Sequence, residues 1–495
     1  MEHTFLYSIL TFLFLFFAYK ILLIRKKLPP SPIAFPILGH LHLLLLNPNR
    51  PLHRTFHNLS QKFGPIISLR LGFQQVVLVS STSAAEECLT KNDICFANRP
   101  LLTVGKYFGY NYTSLTNAPY GEHWRNHRRL TSLQMLSSNQ LNKYSGIRRD
   151  EIKTMLKKLY QVSSNGFGKV ELKPLFLELT FNTVVQTVTG KRYGGEKAKQ
   201  LKEIIEQVLK FAETSYPGDF LPFLKWVDLE GFVKKVKVIG KETDDLLQEL
   251  VDEQRNDKKL QNTMIRHMLT LQESQPEYYT DDIIKGLILD MTFAATDTTA
   301  VTLEWAISNL LNHPQVLHKA KSEIDTKIGD QNLMDESDIS KLPYLQNIIS
   351  ETLRLYPPAP LLLPHLSHND CTIGPYKVPK YTMLLINAWA IQRDPQLWQD
   401  AHKFIPERFE QGGDGHQKYK MMPFGLGRRA CPGSGLANRV LGLALGFVIQ
   451  CFEWKRLSEE EDIDMTEGNG LTMPKAEPLV AMCKPRDIIH QVFRI

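Results

Sequence analysis

The chain has 495 residues, of which 43% are hydrophobic and 22% are charged, and its formal net charge is +7. This is ordinary globular composition, with enough length for a large core. The charge is mild and no run of lysine and arginine is long, so a nucleic-acid partner is not expected; the positive charge favours anionic lipid or an acidic partner protein.

Residues 1–24 are predicted to form a transmembrane anchor. Phe5 to Ile24 is almost entirely apolar, with Lys20 as its single charged residue. A helix of that length spans roughly the 30 Å hydrocarbon core of a bilayer. The basic cluster at 25–27 follows at once, and the positive-inside rule places that end in the cytosol.

A cleaved signal peptide is the alternative interpretation of this segment. A basic n-region and a small-residue cleavage site are missing, and the apolar run is long, so an uncleaved anchor is favoured. Residues 25–42 are basic and rich in proline, which predicts a stiff hinge. We expect residues 43–495 to form one large domain, because no low-complexity linker interrupts them.

Apolar periodicity predicts a fold that is mainly α with minor β. Ile66 to Ser80 reads as a strand pair with a turn near Gly72. Helical patterns dominate from Ser83 onward. The long predicted helices are Asp281–His313, Pro314–Lys327, Leu342–Leu355 and Gly435–Trp454, and short extended segments are predicted at Cys371–Val378 and Met383–Ala388.

One cysteine has an unusual sequence environment. Cys431 is flanked by Arg428 and Arg429 and precedes a helix, Gly435–Trp454, that is apolar nearly all round. Cationic neighbours and a helix N-terminus both favour a thiolate. A buried thiolate needs a partner, and a metal is favoured for that role. The other five cysteines lie too far along the chain from Cys431 to form a zinc cluster or a redox pair with it. A single axial thiolate on haem iron fits. The six cysteines show no spacing pattern, so a disulfide framework is not expected.

The loop around this cysteine carries the pattern F-x-x-G-x-R-x-C-x-G, formed by Phe424, Gly427, Arg429, Cys431 and Gly433. Its glycines permit tight turns and close approach of the backbone to a flat cofactor. Arg429 can pair with a carboxylate such as a haem propionate, and Phe424 can cover the sulfur. With this pattern the chain resembles the cytochrome P450 superfamily of haem-thiolate monooxygenases, and the resemblance runs from the anchor to about residue 485.

The resemblance implies haem b as the cofactor, with Cys431 as the iron ligand, and it extends to other segments. Glu351 and Arg354 form the E-x-x-R element and share one helix face. In the family, Arg408 joins them in a buried network that braces the haem loop. Trp124 and Arg128, four residues apart, are similar to the family's propionate contacts, and His365 resembles a third.

The segment from Ala294 to Thr299 interrupts an apolar helix with threonine and aspartate, which are poor residues for a helix interior. It resembles the family's oxygen-activating segment, and by that match Thr298 and Asp297 deliver protons during oxygen activation. The family usually has glycine where this chain has Ala295, so the extra methyl group is expected to alter the distal pocket.

The substrate contacts implied by the family fall in variable segments that are rich in aromatic residues. The candidates are Tyr107, Phe108, Phe211, Phe220, Phe293, Ala294 and Leu362. Other segments, among them 96–100 and 423–429, look like the plant group that includes isoflavone hydroxylases and lignan methylenedioxy-bridge enzymes. The implied substrates are apolar, aromatic plant metabolites, with a terpenoid scaffold as the alternative.

The sequence therefore favours an endoplasmic-reticulum monooxygenase with a cytosolic catalytic domain, expected to be a monomer. By resemblance it takes electrons from NADPH through a reductase and inserts one oxygen atom from O2 into its substrate. Arg125, Arg129 and Arg428 are candidates for docking the acidic electron donor. Two other classes stay open: a reductase-independent haem-thiolate isomerase or dehydratase, which typically lacks the acid–threonine pair, and a non-catalytic haem-binding protein.

Overall fold

The computed structural model describes residues 28–45, 50–228, 231–257, 263–410 and 417–493. The predicted anchor at 1–24 lies outside the described residues. Within them, the chain is mainly helical with three small sheets, as the apolar periodicity predicts.

The longer helices surround one central helix, α9. In chain order they are α1 Leu52–Phe63, α2 Thr82–Leu89, α3 Glu122–Leu130, α4 Ser145–Ser163, α5 Leu172–Thr189, α6 Gly195–Glu213, α7 Phe232–Asn256, α8 Met264–Ser274, α9 Asp281–Asn312, α10 Pro314–Lys327, α11 Pro343–Leu355 and α12 Ser434–Cys451. Short α-helices lie at His42–Leu45, Thr103–Tyr107, Ser138–Lys143, Pro217–Phe220, Leu224–Val227, Ala388–Ile391, Gln417–Lys420 and His490–Phe493. A π-helical turn lies at Thr131–Met135, and 3-10 turns lie at Glu336–Lys341, Pro406–Phe409 and Asp487–Ile489.

The strands form three separate sheets. They are β1 Ile66–Leu71, β2 Gln74–Val79, β3 Gly168–Glu171, β4 His365–Leu366, β5 Cys371–Ile373, β6 Tyr376–Val378, β7 Met383–Ile386, β8 Phe452–Lys455 and β9 Val480–Pro485. The sheet orders are β1-β2-β7-β4, β3-β9-β8 and the hairpin β5-β6. The predicted strand pair is confirmed: β1 and β2 are antiparallel with Ile67 opposite Leu78, and Gly72 turns the chain between them with φ of 57°.

The ends of three predicted helices shift in the structure, and one of them, α9, ends at Asn312 rather than His313. Trp454 was expected to end the last long helix, but α12 ends at Cys451 because Phe452 turns to extended backbone and pairs with Pro485 in the sheet of β8 and β9. α11 begins at Pro343 rather than Leu342, consistent with the preference of proline for the first helical position. Of the described helices, α12 alone is long and apolar enough to cross a membrane, yet 72% of it is buried, so it is a core helix.

Four of the five threonines of α9 pair their hydroxyls with the helix backbone. The hydroxyls of Thr292, Thr296, Thr298 and Thr302 each donate to the carbonyl oxygen four residues earlier, over 2.6–2.9 Å. Such bonds satisfy a hydroxyl inside an apolar protein at little cost to the helix. The helix can therefore carry hydroxyls beside a cavity while it remains regular from Asp281 to Asn312.

A buried acid, Glu467, ties the C-terminal turn at 468–475 to the rest of the domain. Its carboxylate accepts hydrogen bonds from His53 Nε2 at 2.6 Å, Arg54 Nε at 2.7 Å and Trp389 Nε1 at 2.8 Å. Burial alone would raise the pKa of Glu467, but the hydrogen bonds from His53 and Arg54 lower this pKa to about 2. The turn is thus fixed by a charged, fully bonded acid at its start, whose partners His53, Arg54 and Trp389 lie far from it in sequence.

Candidate functional site

A cavity of about 290 Å³ lies beside α9 and is lined by both α9 and the cysteine loop. The side chains that line this cavity come from segments that are far apart in sequence. The predicted site residues that line it are Trp124, Arg128, Phe293, Ala294, Asp297, Thr298, Leu362, His365, Phe424, Arg429, Cys431 and Gly433.

The cysteine loop is a tight turn closed by a backbone hydrogen bond. The amide of Cys431 donates to the carbonyl oxygen of Phe424 over 2.8 Å. Gly425 and Gly427 have φ of 66° and 70°, which favours glycine. A Cβ on Gly427 would also lie 2.5 Å from the carbonyl oxygen of Leu89. Gly433, by contrast, has an ordinary φ of −88°, so backbone strain does not require glycine there.

The charges around the thiol differ from the sequence prediction. Arg428 turns away to Asp93, at 3.3 Å, and is not a neighbour of the sulfur. Burial raises the pKa of Cys431, while the amide of Gly433 and the charge of Arg128 act in the opposite direction. The sulfur is exposed to the cavity, so a thiolate at this position depends on a positive partner inside it.

Three arginines converge on the cavity without an acidic partner. Arg99 Nη1 donates to the carbonyl of Pro364 at 2.7 Å, Arg128 Nη1 to that of Ala430 at 2.6 Å, and Arg429 Nε to that of Ala97 at 2.7 Å. In the described part of the chain, none of the three forms an ion pair with a carboxylate.

The arginines of this cluster have pKa values below their ordinary range. Burial, reinforced by the charges of Arg99 and Arg128, lowers the pKa of Arg429 to about 8. Burial lowers the pKa of Arg99 to about 10, and its Nε has no hydrogen-bond partner. Buried cations are stable only when they are paired, so the cluster is complementary to a bound ligand with negative charge. Arg99 was not predicted as a site residue: it lies in segment 96–100, which carries part of the family resemblance, but nothing in that segment indicates that Arg99 reaches the cavity.

Trp124 and His365 line the same cavity, but their ring N–H groups already have partners. The indole of Trp124 donates to the carbonyl of Leu115 at 3.1 Å, and Arg429 lies over its ring at 4.3 Å. His365 Nδ1 lies 2.9 Å from the carbonyl oxygen of Phe96. Burial, followed by the charge of Arg99, lowers the pKa of His365 to about 3. The Trp124 ring therefore packs against Arg429 and has no free N–H, and Nδ1 of His365 is engaged by the backbone.

On the side of α9, an acid and a hydroxyl are adjacent. Thr298 Oγ1 donates to the carbonyl of Ala294 at 2.7 Å, and Asp297 Oδ2 accepts a hydrogen bond from Thr472 Oγ1 at 2.6 Å. Thr472 belongs to the turn that Glu467 anchors, so it fixes the carboxylate of Asp297 in place. Ala295, where the family usually has glycine, lines the cavity as well.

The predicted charged network is present, with Glu351 and Arg354 fully buried and Arg408 partly buried. Arg354 donates to Glu351 through Nε at 2.6 Å and Nη2 at 2.8 Å, and Arg408 Nε reaches the same carboxylate at 3.0 Å. The structure adds a link that the sequence did not indicate. Arg354 Nη1 donates to the backbone carbonyl of Gln392 at 2.8 Å, while the Gln392 side chain accepts from the amide of Met422 at 2.8 Å. Gln392 thus connects the network to the start of the cysteine loop.

A second cavity, of about 300 Å³, adjoins the first. The two share lining residues, among them Arg99, Asp290, Phe293 and Leu362. Of the predicted substrate residues, Phe108 and Phe220 line this second cavity.

The remaining two predicted substrate residues line neither cavity in the described structure. Tyr107 packs near the short helix at 103–107, with Lys106 and Lys237 over its ring. Phe211 packs edge-on against Phe232, with ring centroids 5.5 Å apart. Both aromatic side chains are partly buried and pack against the protein core, a role that sequence alone does not distinguish from ligand contact.

Asp290 is a site residue that sequence reasoning missed. It lies on α9 between the two cavities, and its carboxylate accepts from the amide of Thr116 at 3.0 Å and from Ser114 Oγ at 3.3 Å. Burial raises the pKa of Asp290 to about 6. The available signal was its spacing: it precedes Ala294 by four residues, on the same helix face.

One sulfur and three unpaired arginines at a single cavity suit a ligand that carries both a metal and carboxylates, which defines the haem-thiolate class of proteins. The model of the family described as Cytochrome P450 matches residues 29–482. The chain belongs to the cytochrome P450 family, whose members are haem-dependent monooxygenases.

The relatives include plant enzymes of known product. Cytochrome P450 81Q32 of Catharanthus roseus is 54% identical over 99% of this chain and 98% of the relative. Isoflavone 3'-hydroxylase of Medicago truncatula is 54% identical over 95% of each chain. (+)-Piperitol/(+)-sesamin synthase CYP81Q2 of Sesamum radiatum is 49% identical over 100% of this chain and 99% of the relative.

Among solved structures, a zebra fish cytochrome P450 with progesterone is 25% identical and matches with a TM-score of 0.78. The match covers 88% of this chain and 100% of that one.

The residues of this chain fit haem. The unpartnered Nε of Arg99 and the missing carboxylate near Arg128 and Arg429 are what two propionates would satisfy. Cys431 offers one sulfur to the same cavity, and apolar side chains such as Leu362 and Phe424 line the rest.

Replacing Arg128 by methionine should weaken the hold on haem. Loss of one charge-assisted hydrogen bond is worth about 1.5–3 kcal/mol, which corresponds to roughly a 10- to 150-fold faster loss of haem. Transfer of haem to excess apomyoglobin measures that rate. Arg125→Met, an exposed neighbour on α3, is the matched control and should leave it unchanged. Equal rates for the two variants would contradict the assignment.

Proposed function

We propose that the protein is a membrane-anchored, NADPH-dependent haem-thiolate monooxygenase that oxidises an apolar, aromatic plant metabolite. The observation that carries the proposal is that one cavity presents the Cys431 sulfur, the Thr298 hydroxyl and the Asp297 carboxylate together. A second, largely apolar cavity adjoins it and provides room for a substrate.

Haem with a cysteine thiolate, when bound, supplies the activation of dioxygen for insertion of one oxygen atom into the substrate. The residues of the chain hold the bound groups in position and deliver protons. Cys431 provides the metal ligand, and Arg99, Arg128 and Arg429 orient the two carboxylates. Thr298 Oγ1, which donates to the carbonyl of Ala294, is the hydroxyl of the acid–hydroxyl pair.

Protons are proposed to pass from the Asp297 carboxyl to the Thr298 hydroxyl. Asp297 is kept in one orientation by the 2.6 Å hydrogen bond from Thr472. The burial of Glu213, together with the charge of Asp297, raises the pKa of the Glu213 carboxyl. A second acid, with a pKa above its ordinary value, is thus available within electrostatic range of Asp297.

Thr298→Ala should retain haem but lose coupling, because the hydroxyl that holds the proton is gone. We expect product formed per NADPH to fall roughly tenfold or more, with a matching rise in hydrogen peroxide. NADPH consumption, product and peroxide are measured together. Thr292→Ala removes a hydroxyl with the same type of helical bond from a buried position outside this cavity, and should leave coupling unchanged. Full coupling in Thr298→Ala would contradict the proton role.

The proposed substrate class rests on the relatives and on the lining of the second cavity. Three of the relatives are named for isoflavone hydroxylation and one for synthesis of piperitol and sesamin. Phe108, Phe220 and Phe293 present aromatic surface, and Asp290 offers a single buried carboxylate where the cavities meet. A flat aromatic molecule with a hydroxyl group at one end suits this arrangement. Hydroxylation and methylenedioxy-bridge formation are both consistent with it.

Binding spectra test this class directly. Titration of purified holoprotein with isoflavonoids, flavonoids, lignans and diterpenoids should give a substrate-type shift of the haem absorption band with members of the first three groups. Asp290→Asn should weaken the binding of ligands with a free hydroxyl by roughly tenfold and leave their methylated analogues unaffected. Tight binding confined to diterpenoids would favour the terpenoid alternative.

Attachment to the endoplasmic-reticulum membrane is proposed from the N-terminal apolar run and an exposed apolar surface next to the hinge. This surface is formed by Ile33, Phe35, Ile37, Leu38, Phe73, Phe223, Trp226 and Val227. Ile33 and Trp226 are 92% and 93% exposed. Three separate segments meet here, since the amide of Gly72 donates to the carbonyl of Leu38 at 3.1 Å and the amide of Phe73 to that of Phe220 at 2.9 Å. Exposed aromatic and aliphatic side chains on one face favour contact with lipid.

Electron delivery by an NADPH-dependent reductase is proposed to use the basic side chains near the cysteine loop. Arg125 and Arg129 are exposed on α3, and Arg428 is exposed although it also contacts Asp93. The acid–hydroxyl pair favours this reaction over a reductase-independent isomerase, which has no use for proton delivery to oxygen.

A further inference from the structure

The N-terminal part of α7 exposes a row of lysines on one side of the helix. We call this row the lysine face, and its members are Lys234, Lys235, Lys237 and Lys241. Val238 is exposed among them, whereas Phe232, Val236 and Ile239 are buried. The buried side chains recur every three or four residues, so they define one face of α7 and the lysines occupy the other.

The lysine face has no acidic partner within the protein. In the described part of the chain, none of its lysines forms an ion pair with a carboxylate, whereas Lys225 nearby pairs with Asp219 at 3.1 Å. Lys237 lies 5.9 Å from the ring centroid of Tyr107, and the exposed Lys106 lies at the same distance from that ring. The positive charge on this side of the domain is therefore available to an external anion.

The stability of α7 does not explain the lysine face. Lysines in the first turn oppose the helix dipole, and Lys237 and Lys241 repel each other across a spacing of four residues. The first turn contains no acidic residue, and the exposed acids Glu242 and Asp245 come only after the last lysine. This order of charges is the reverse of the one that the dipole favours, so an external anionic partner is the better explanation.

The lysine face begins beside the exposed apolar surface described above. Asp228 follows Trp226 and Val227 of that surface, and its carboxylate accepts from the amides of Val233 at 2.8 Å and Lys234 at 3.1 Å. The indole of Trp226, only a short turn away, is 93% exposed. Exposed apolar side chains next to lysines are typical of protein surfaces that lie in the interface of a bilayer.

We propose that the lysine face binds the headgroups of anionic phospholipids. With the apolar surface in the lipid, the lysine ammonium groups stay at headgroup level, where phosphate oxygens accept their hydrogen bonds. An acidic protein is less suited, because a bilayer against the apolar surface would compete with it for this position. The inference rests on the proposed membrane attachment and adds a preference for one class of lipid. The residues proposed for the reductase, Arg125, Arg129 and Arg428, belong to other segments.

Lysine labelling of the full-length holoprotein in nanodiscs tests the proposal. Acetylation by an N-hydroxysuccinimide ester is mapped by mass spectrometry in phosphatidylcholine discs and in discs that also contain phosphatidylglycerol, lipids without primary amines. The lysine face should be labelled roughly threefold or more slowly in the anionic discs, and high salt should remove the difference. Lys157 on α4 and Lys327 on α10 are exposed and should be labelled equally in both. Equal labelling of the lysine face in the two lipids would overturn the proposal.

A matched pair of variants tests the charge itself. Lys234→Glu combined with Lys241→Glu should abolish the lipid-dependent protection of the two lysines that remain, because the new carboxylates repel the headgroups. Lys157→Glu combined with Lys327→Glu makes the same change in net charge elsewhere and should leave the protection intact. The haem absorption spectrum reports whether each variant is folded. Undiminished protection in the folded first variant would contradict the proposal.

The outcomes separate this inference from the membrane attachment on which it rests. Protein that enters both kinds of disc without lipid-dependent labelling contradicts the role of the lysine face alone. Protein that enters neither kind contradicts the attachment, and the lipid preference with it. Protection of the lysine face by added reductase, with no effect of phosphatidylglycerol, would assign the face to an acidic protein and overturn the lipid assignment.

Discussion

The constraint on which the site depends is uncompensated positive charge. Arg99, Arg128 and Arg429 meet at one cavity, and their hydrogen bonds end on backbone carbonyls rather than carboxylates. A buried ion costs several kcal/mol unless it is paired. The fold therefore holds positive charge that the two carboxylates of a bound haem would compensate. Cofactor binding would thus stabilise the folded chain.

The scaffold around this charge is rigid for identifiable reasons. The pair Glu351 and Arg354 is buried, Arg408 joins it, and the network reaches the cysteine loop through Gln392. Glu467 anchors the turn that carries Thr472, and Thr472 fixes Asp297. The cysteine loop and Asp297 are thus each supported by a bonded polar group behind them, the arrangement that keeps reactive side chains in position.

Much of this site could be predicted because its motifs are local. The cysteine loop, the pair Glu351 and Arg354, and the segment 294–299 each lie within one turn or helix, and their order along the chain identifies the family. The strand pair at 66–80 follows from alternation in the same way. The end of α12 could not be predicted, because its apolar run continues into β8 and only pairing with β9 decides where the helix stops.

The rest depends on long-range contacts that leave no local pattern. Arg99, Gln392 and Asp290 owe their roles to partners far away in the sequence. The expected helper of the thiol, Arg428, is taken by Asp93, and Arg128 acts instead. The exposed apolar surface at the hinge combines segments that only the folded chain brings together.

The central claim is that the single sulfur of Cys431 makes this cavity a haem-thiolate site, and the absorption spectrum of the ferrous carbon monoxide complex tests it most directly. The wild-type protein and Cys451→Ala, which removes a buried thiol elsewhere, should both give the red-shifted Soret band of a thiolate-ligated haem. Cys431→Ala should lack that band. An unchanged red-shifted band in Cys431→Ala would contradict the account.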